Sequence, residues 1–184
     1  MPEKRYKVTQ FEKALHDRSA FSCGIEPIDN WIKTSISEET KHDRVRLWCG
    51  TDPDGTLFGA YALNPHSIAL KEAGPLARKK DRKPIPVLYL TCLAIDVRYQ
   101  KMGLGEALMG HAIEKAVQLS EDIPISAIVL DVFKDANFDR RFAFYVRLGF
   151  SPFDPENPAR MYLSMADARV AIAAQQQQEV STNS

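Results

Sequence analysis

The stretch VLYLTCLAIDVRYQKMGLGEALMG, residues 87–110, decides the fold of this chain. Its first half is an apolar, β-rich run, and its second half opens a helix through Gln100-Lys101-Met102-Gly103-Leu104-Gly105. At a helix start the first backbone N–H groups have no partner inside the helix, the helix dipole favours negative charge, and glycine lets a phosphate approach the backbone. The stretch therefore predicts an anion site suited to a phosphorylated cofactor.

Two nucleotide-binding folds are disfavoured by what this loop lacks. A P-loop needs Gly-Lys followed by Ser or Thr, and a dinucleotide fingerprint needs a third glycine where this chain has Leu108. The pattern Gln-x-x-Gly-x-Gly, preceded by Leu93-Ala94-Ile95-Asp96, instead resembles the acyl-CoA pyrophosphate loop of the GNAT N-acetyltransferases. Taken alone, the loop is equally compatible with a strand-to-helix turn that carries two incidental glycines.

A second signature lies further along the chain. Residues 137–149, NFDRRFAFYVRLG, predict a short helix closed by Gly149. By itself, the Phe144-Tyr145 pair in this helix would indicate an aromatic core face. In GNAT enzymes a tyrosine after the next strand faces the cofactor sulfur, and both signatures occur here in the family's order. The resemblance implies that Tyr145 is the catalytic acid, because a phenol with a pKa of about 10 stays protonated at neutral pH and can protonate a leaving thiolate.

The resemblance also implies how acetyl-CoA is bound. Backbone groups of the strand would bond the pantetheine amides, and the loop would hold the pyrophosphate. The expected cofactor-binding residues are Leu93, Ala94, Ile95, Gln100, Lys101, Met102, Gly103, Leu104, Gly105 and Glu106. We assign no side chain as a general base.

Hydrophobic periodicity and turn residues predict the remaining elements. They are a helix over 27–41, strands over 44–49 and 57–63, an irregular connection over 64–86, a strand over 87–95, a helix from Gly103, a strand over 125–133, a helix within 137–149 and a strand over 161–165. This order predicts an α/β fold with a mixed central sheet and helices on both faces. The GNAT resemblance adds two parallel strands that splay at the cofactor. We expect one acetyltransferase domain over residues 1–168 and a polar, flexible tail over 169–184.

Composition excludes several classes of protein. The 24 basic and 24 acidic residues give a net charge of zero, which argues against a uniformly basic nucleic-acid binder. No apolar run is long enough for a membrane span, and the N-terminus lacks a secretory h-region, so we expect a cytoplasmic protein. Three separated cysteines, Cys23, Cys49 and Cys92, are expected to be reduced core or strand residues. We expect no catalytic metal.

A basic run stands out against this neutral background. Five positive charges fall within six residues, at Arg78, Lys79, Lys80, Arg82 and Lys83. Such a run is either a solvated surface segment or a phosphate-binding rim. Its place just before the cofactor strand favours the rim.

Further motifs narrow the resemblance. Phe21-x-Cys23-Gly24-x-x-x-Ile28-x-x-Trp31-Ile32, and the basic run leading into Pro84-Ile85-Pro86, resemble the GNAT toxins of bacterial toxin–antitoxin pairs. Those toxins acetylate the α-amine of aminoacyl-tRNA, which blocks translation, and a ribbon-helix-helix antitoxin neutralises them. The resemblance thus implies that the basic run binds tRNA. One departure is Cys92, where the family often has arginine.

Two other functions stay open at this point. One is a GNAT enzyme that acetylates a small-molecule amine or a protein N-terminus, and the other is a non-catalytic acyl-CoA-binding protein. Intact Gln100, Gly103, Gly105 and Tyr145 favour catalysis. The resemblance leaves open whether the protein is a homodimer.

Overall fold

Seven strands and five helices are found in the computed structural model, which describes residues 6–182, with side chains described to residue 178. The strands are β1 (Lys7–Gln10), β2 (Arg46–Thr51), β3 (Leu57–Ile68), β4 (Ile85–Ile95), β5 (Ala127–Asp131), β6 (Ser151–Pro152) and β7 (Arg160–Ser164). The helices are α1 (Glu26–Asn30), α2 (Ile36–Lys41), α3 (Leu104–Asp122), α4 (Phe138–Arg147) and α5 (Met165–Thr182), and a π-helical turn (Trp31–Ser35) joins α1 to α2. The chain divides into a first unit of residues up to 64 with 90–112, and a second unit of 65–89 with residues from 113 onward.

The first unit contains strands in the order β1-β2-β3-β4. β2 pairs antiparallel with both β1 and β3, with Trp48 opposite Tyr61. Ala60 of β3 packs in one apolar cluster with Ile32 and Ile36 of the helical segment. Because successive strand residues face opposite sides of a sheet, Gly59 lies on the other face, where it meets Leu108 of α3. Helices therefore cover both faces of this part of the sheet, as predicted.

Gly59 sets the distance between α3 and β3. A Cβ atom at this position would lie 2.7 Å from Cδ1 of Ile95 and 2.8 Å from Cδ1 of Leu108. It would also lie 2.8 Å from the carbonyl oxygen of Ala94. Only a residue without a side chain allows these close approaches, so Gly59 fixes where the first turns of α3 lie over the strands.

The second unit contains strands in the order β3-β4-β5-β7-β6. β4 and β5 run parallel, with Leu88 opposite Ile128, whereas β5 and β7 run antiparallel, with Asp131 opposite Arg160. The sheet is therefore mixed, as predicted. Val87 belongs to the apolar core of this unit. The predicted splay of the two parallel strands stays a prediction.

The predicted irregular connection over 64–86 is shorter than expected. β3 continues through Pro65 to Ile68, and β4 already begins at Ile85. Ile68 and Ile85 are buried in the same apolar cluster, and this burial outweighs the turn propensity of the prolines in the segment. Two strands, β1 and β6, were not predicted.

The polar C-terminal segment forms a helix where no regular structure was predicted. Met165 begins α5 instead of ending a strand, and Ala168 in its first turns is buried. Arg169 donates from Nη2 to Oγ of Ser120 at 3.0 Å. Alanine and glutamine have high helix propensity, which the low-complexity composition concealed. The boundary at 168/169 and the flexibility of the tail stay predictions, and residues 1–5 and 183–184 lie outside the described residues. No described helix is both long and apolar enough to cross a membrane.

Candidate functional site

The side chain of Gln100 holds the predicted cofactor loop in place. Its Nε2 donates to the carbonyl oxygens of Cys23, at 3.0 Å, and Ile95, at 2.9 Å. A side-chain amide nitrogen has two hydrogens, so both donors are committed to the protein backbone. Gln100 therefore shapes the loop instead of offering a donor to a bound anion.

Asp96 is a buried carboxylate directly before this loop, with 0% of its surface exposed. It accepts hydrogen bonds from the backbone N–H and the guanidinium of Arg98, at 2.8 to 2.9 Å, and from the backbone N–H of Ser22 at 3.2 Å. Burial alone raises the pKa of Asp96, but the hydrogen bonds from Arg98 and Ser22 lower it below its ordinary value. The ionised carboxylate thus ties the end of β4 to the segment around Ser22.

A second carboxylate, Asp29 of α1, holds the same segment from the other side. It accepts from the hydroxyl of Ser22 and from the backbone N–H of Cys23, both at 2.7 Å. Burial raises the pKa of Asp29, and the bonds from Cys23 and Ser22 lower it to a net value below normal. Residues 22–23 are therefore fixed between two carboxylates, with Gln100 bonded to the carbonyl of Cys23.

We call this arrangement, in which Asp29, Asp96 and Gln100 hold residues 22–23, the frame. Sequence reasoning missed it. Asp96 is part of the Leu93-Ala94-Ile95-Asp96 motif, and a carboxylate at the end of an apolar strand could have indicated a structural role. The role of Asp29 had no local signal in the sequence. Its partner Ser22 also bonds to Asp96, 74 residues further along the chain, and no pattern near Asp29 indicates that contact.

The loop backbone turns sharply before α3 begins. Lys101 has φ 64° and Gly103 has φ 78°, both in the left-handed region. The N–H of Ala107 bonds the carbonyl of Gly103 at 3.1 Å, so the N–H groups of Leu104 and Gly105 have no partner inside the helix. A Cβ at Gly103 would meet nothing within 4 Å, so the space beside the loop is open. This helix start fits a diphosphate.

The end of β4 supplies backbone groups beside the loop. The N–H of Asp96 bonds the carbonyl of Phe58 on β3 at 2.8 Å. Backbone groups alternate in direction along a strand, so those of Ala94 point toward β3 and those of Leu93 and Ile95 point away from it. The carbonyl of Ile95 is taken by Gln100. The N–H of Ile95 and both groups of Leu93 are the ones suited to pantetheine amides, whereas the backbone of Ala94 is not.

The remaining predicted cofactor residues lie on the surface of this unit. Lys101, Met102 and Glu106 are exposed, and Leu104 and Gly105 are partly exposed. All the residues predicted to bind acetyl-CoA thus form one continuous strand-loop-helix segment of the first unit.

Tyr145 lies near the end of α4 in the second unit and is half-buried. Its ring packs edge-on against Phe144, at 5.2 Å between centroids, and against Phe150, at 5.8 Å. Its carbonyl accepts from the N–H of Phe150 at 3.0 Å, across the turn at Gly149, where φ is 91°. No side chain of α4 is fully buried. The ring therefore has a fixed position without being sealed into a core.

The five basic side chains predicted to bind tRNA also belong to the second unit. Arg78, Lys79, Lys80, Arg82 and Lys83 are all exposed. Asp81 accepts from the backbone N–H of Arg78 at 2.7 Å, and Arg82 donates to the carbonyls of Lys79 and Asp81. These bonds fold the segment into a turn that presents its cations to solvent. We name residues 78–83 the basic loop.

Two of the three cysteines are buried strand residues, and the third packs against the same core. Cys49 of β2 and Cys92 of β4 are buried in the apolar cluster of the first unit, against which Cys23 packs. Burial raises the pKa of the Cys49 thiol to about 12. Within the described part of the chain, no group of three or more His, Cys, Asp or Glu side chains could hold a metal ion.

Sequence comparison gives relatives over most of the chain. The family model described as acetyltransferase (GNAT) family matches residues 15–150. A probable toxin TacT of Sinorhizobium fredii is 34% identical over 161 residues, which cover 84% of this chain and 88% of that protein. A tRNA-acetylating toxin of Mycobacterium tuberculosis is 33% identical over 156 residues, covering 85% and 90%.

Solved structures share the fold at lower sequence identity. AtaT in complex with acetyl-methionyl-tRNAfMet superposes with a TM-score of 0.78 at 22% identity, over 90% of this chain and 98% of that one. A mutant AtaT toxin bound to the C-terminus of the antitoxin AtaR and acetyl-CoA gives a TM-score of 0.75 at 20% identity, over 91% and 98%. The seven-stranded mixed sheet is therefore the fold of these proteins.

Proposed function

This chain belongs to the GNAT acetyltransferase family, and from that premise we propose that it moves the acetyl group of acetyl-CoA to the α-amine of aminoacyl-tRNA and so blocks translation as a toxin. The relative that is 33% identical over 85% of this chain is a tRNA-acetylating toxin. AtaT, which shares the fold, has been solved with an acetylated aminoacyl-tRNA.

The observation that carries the substrate assignment is the exposed basic loop. Five cations within six residues lie on a neutral protein, and all five side chains reach solvent. A small amine offers such a loop nothing to bind, whereas a polyphosphate backbone does. The loop thus favours charged tRNA over a small amine or a protein N-terminus.

The first unit supplies the backbone groups that bind acetyl-CoA in this proposal. The N–H groups at the start of α3 receive the pyrophosphate, and the backbone of Leu93 with the N–H of Ile95 bonds the pantetheine amides. Acetyl-CoA supplies the activated thioester, and an N–H of the same strand can stabilise the oxyanion that forms during attack. The main contribution of the protein is to hold amine and thioester in attack geometry.

Tyr145 completes the reaction by protonating the departing CoA thiolate. Its hydroxyl proton is the acid, and the ring is positioned by Phe144 and Phe150. The attacking α-amine is neutral when it reacts. It loses its extra proton after attack, and we assign no side chain to accept that proton.

The direct test is transfer from labelled acetyl-CoA to bulk charged tRNA. We expect label in the RNA fraction that mild alkali releases as N-acetyl amino acid, and none with deacylated tRNA. A Tyr145→Phe variant serves as the inactive control. Label found only on free amines or on peptide N-termini would overturn the tRNA assignment.

We further propose that the protein acts in the cytoplasm, where charged tRNA is found, and that a ribbon-helix-helix antitoxin neutralises it. The AtaT toxin solved with the C-terminus of AtaR supports an antitoxin partner. If a gene next to this one encodes a small ribbon-helix-helix protein, co-expression with that protein should restore growth and give a stable complex on a sizing column. Light scattering of the free protein would establish whether it is a homodimer.

A further inference from the structure

A cleft of about 740 Å³ opens within the second unit, and no role has been assigned to it. It lies where β5 and β7 separate, because Asp131 and Arg160 form the last pair of their ladder. One further backbone bond joins Val132 to Ala159 at 2.8 Å. Three further segments line the cleft, namely Phe133 with Lys134, Phe153 with Asp154 and Asn157, and Lys71 with Glu72 and Gly74. A volume of this size is typical of a binding site for a small organic group.

Two of the lining residues, Asp131 and Arg160, belong to a polar hydrogen-bond network. Arg160 donates two hydrogen bonds to the carboxylate of Asp131, at 3.0 and 3.1 Å, and the hydroxyl of Tyr89 donates a third at 2.5 Å. Burial raises the pKa of Asp131, but the bonds from Arg160 and Tyr89 bring it below its ordinary value. This ionised network thus joins three strands, β4, β5 and β7, beside the cleft.

The lining carries balanced charge. Three cationic side chains, Lys71, Lys134 and Arg160, and three carboxylates, Glu72, Asp131 and Asp154, line the cleft. Such a lining gives no preference for a highly charged ligand. It does provide donors and acceptors of both kinds, as in the contact of Lys134 Nζ with Oδ1 of Asn157 at 3.4 Å. Heterocyclic base edges, which display both donors and acceptors, match this chemistry.

Two aromatic rings stand in the walls. Phe133 is 40% exposed, although a phenyl ring gains stability from burial. Its face is met by the guanidinium of Arg141 at 5.8 Å. Phe153 is half-buried and leans on Tyr162 at 4.8 Å between centroids. Aromatic rings at the edge of a polar cleft are the platforms on which unpaired bases stack.

The basic loop follows a cleft-lining segment closely in the chain. Gly74 lines the cleft, and the 3-10 turn Gly74–Leu76 leads directly to Arg78. This short connection is the reason to place the phosphates of a single strand on the basic loop and its bases against Phe133. We propose that the cleft binds the unpaired bases at the 3′ end of the charged tRNA. This inference rests on the proposed function and adds a base-binding site to it.

The test compares two tRNA probes. One is a deacylated tRNA with its complete CCA end, and the other is the same tRNA trimmed of its last two nucleotides. Stacking of one base changes affinity by about 5- to 150-fold, so the wild-type protein should bind the complete tRNA at least fivefold more tightly. The Phe133→Leu variant should bind both probes alike. Its salt dependence should equal that of the wild type, because no phosphate contact is lost.

Matched control variants distinguish an effect of the cleft from a general effect of changing exposed side chains. Ile123 is also an exposed apolar residue outside the lining, and Ile123→Ala should keep the wild-type difference between the probes. Lys134→Ala should reduce that difference, and Lys115→Ala should not. If Phe133→Leu still distinguishes the probes as the wild type does, the cleft does not hold the 3′ bases.

Two further outcomes would overturn the proposal in distinguishable ways. If Phe133→Leu weakens acetyl-CoA binding instead, the cleft holds the adenosine of the cofactor. If the wild-type protein acetylates charged tRNA but binds complete and trimmed tRNA equally, the cleft assignment fails and the proposed function stands. If the wild-type protein acetylates no charged tRNA, the proposed function fails first.

Discussion

Replacing Gln100 with glutamate tests whether this side chain shapes the cofactor loop. Gln100→Glu keeps the size of the side chain and exchanges the Nε2 donor for a carboxylate oxygen. That oxygen would face the carbonyls of Cys23 and Ile95, which now receive hydrogen bonds at 3.0 and 2.9 Å. The substitution therefore removes two bonds and leaves two carbonyls facing a negative charge.

The size of the effect follows from those two bonds. A hydrogen bond contributes about 0.5 to 1.5 kcal/mol net, so the loop geometry loses at least about 1 to 3 kcal/mol. Where only a fraction of molecules keeps the binding-competent loop, the apparent dissociation constant rises in inverse proportion to that fraction. We expect acetyl-CoA binding to weaken by about 5- to 150-fold. At low pH the carboxyl regains one donor, so the loss should shrink.

Calorimetry with acetyl-CoA on the folded variant measures this loss. Gln118→Glu is the matched control, because Gln118 is an exposed glutamine later in α3 and its change adds the same charge. The control should bind acetyl-CoA like the wild type. Wild-type affinity in Gln100→Glu, at neutral pH and in a folded protein, would refute the structural role argued for Gln100.

Three further predictions follow from the other elements of the site. Tyr145→Phe should reduce turnover by about 10²- to 10⁴-fold with little change in acetyl-CoA affinity, and a rate near that of the wild type would place the acid elsewhere. Replacing Lys79, Lys80 and Lys83 together with alanine should weaken tRNA binding and flatten its salt dependence by up to about 0.9 per lost phosphate contact, whereas an unchanged slope would show a merely solvated loop. Because the folded pKa of Asp96 is depressed, its stabilising effect is present above the unfolded value of about 3.9 and is lost as pH falls through the folded pKa. Urea titrations should therefore show a shallower acid decline of unfolding free energy in Asp96→Asn than in the wild type, and parallel curves would contradict the assignment.

Local patterns were enough to predict the centre of this fold. β4, the loop and α3 were predicted from an apolar run, two glycines and helical spacing, and Gly103 indeed has a positive φ. α4 was predicted in the same way, because Gly149 ends its sequence pattern. These elements are specified by residues that lie next to one another in the chain.

Elements that depend on distant partners could not be predicted. β1 has four residues and pairs with β2 across the intervening helical segment, and β6 has only two residues, too few to show a hydrophobic pattern. The continuation of β3 past Pro65 depends on burial of Ile68, which no local window shows. The roles of Asp29 and Asp131 likewise follow from partners brought close by the fold. Local composition also misled at the C-terminus, where a glutamine run belongs to a helix.

The frame around Ser22 and Cys23 determines when the cofactor loop can form during synthesis and folding. Its bonds join residues 74 and 77 positions apart in the chain, so the cofactor loop cannot take its final geometry until β4 has been made and has met the N-terminal segment. Contacts of such long range form late in folding, because a long loop must close first. A growing chain on the ribosome would therefore have no acetyl-CoA site for at least the first half of its synthesis. A product started from an internal codon beyond Cys23 would contain α3 and Tyr145 and still lack the frame that orders the loop.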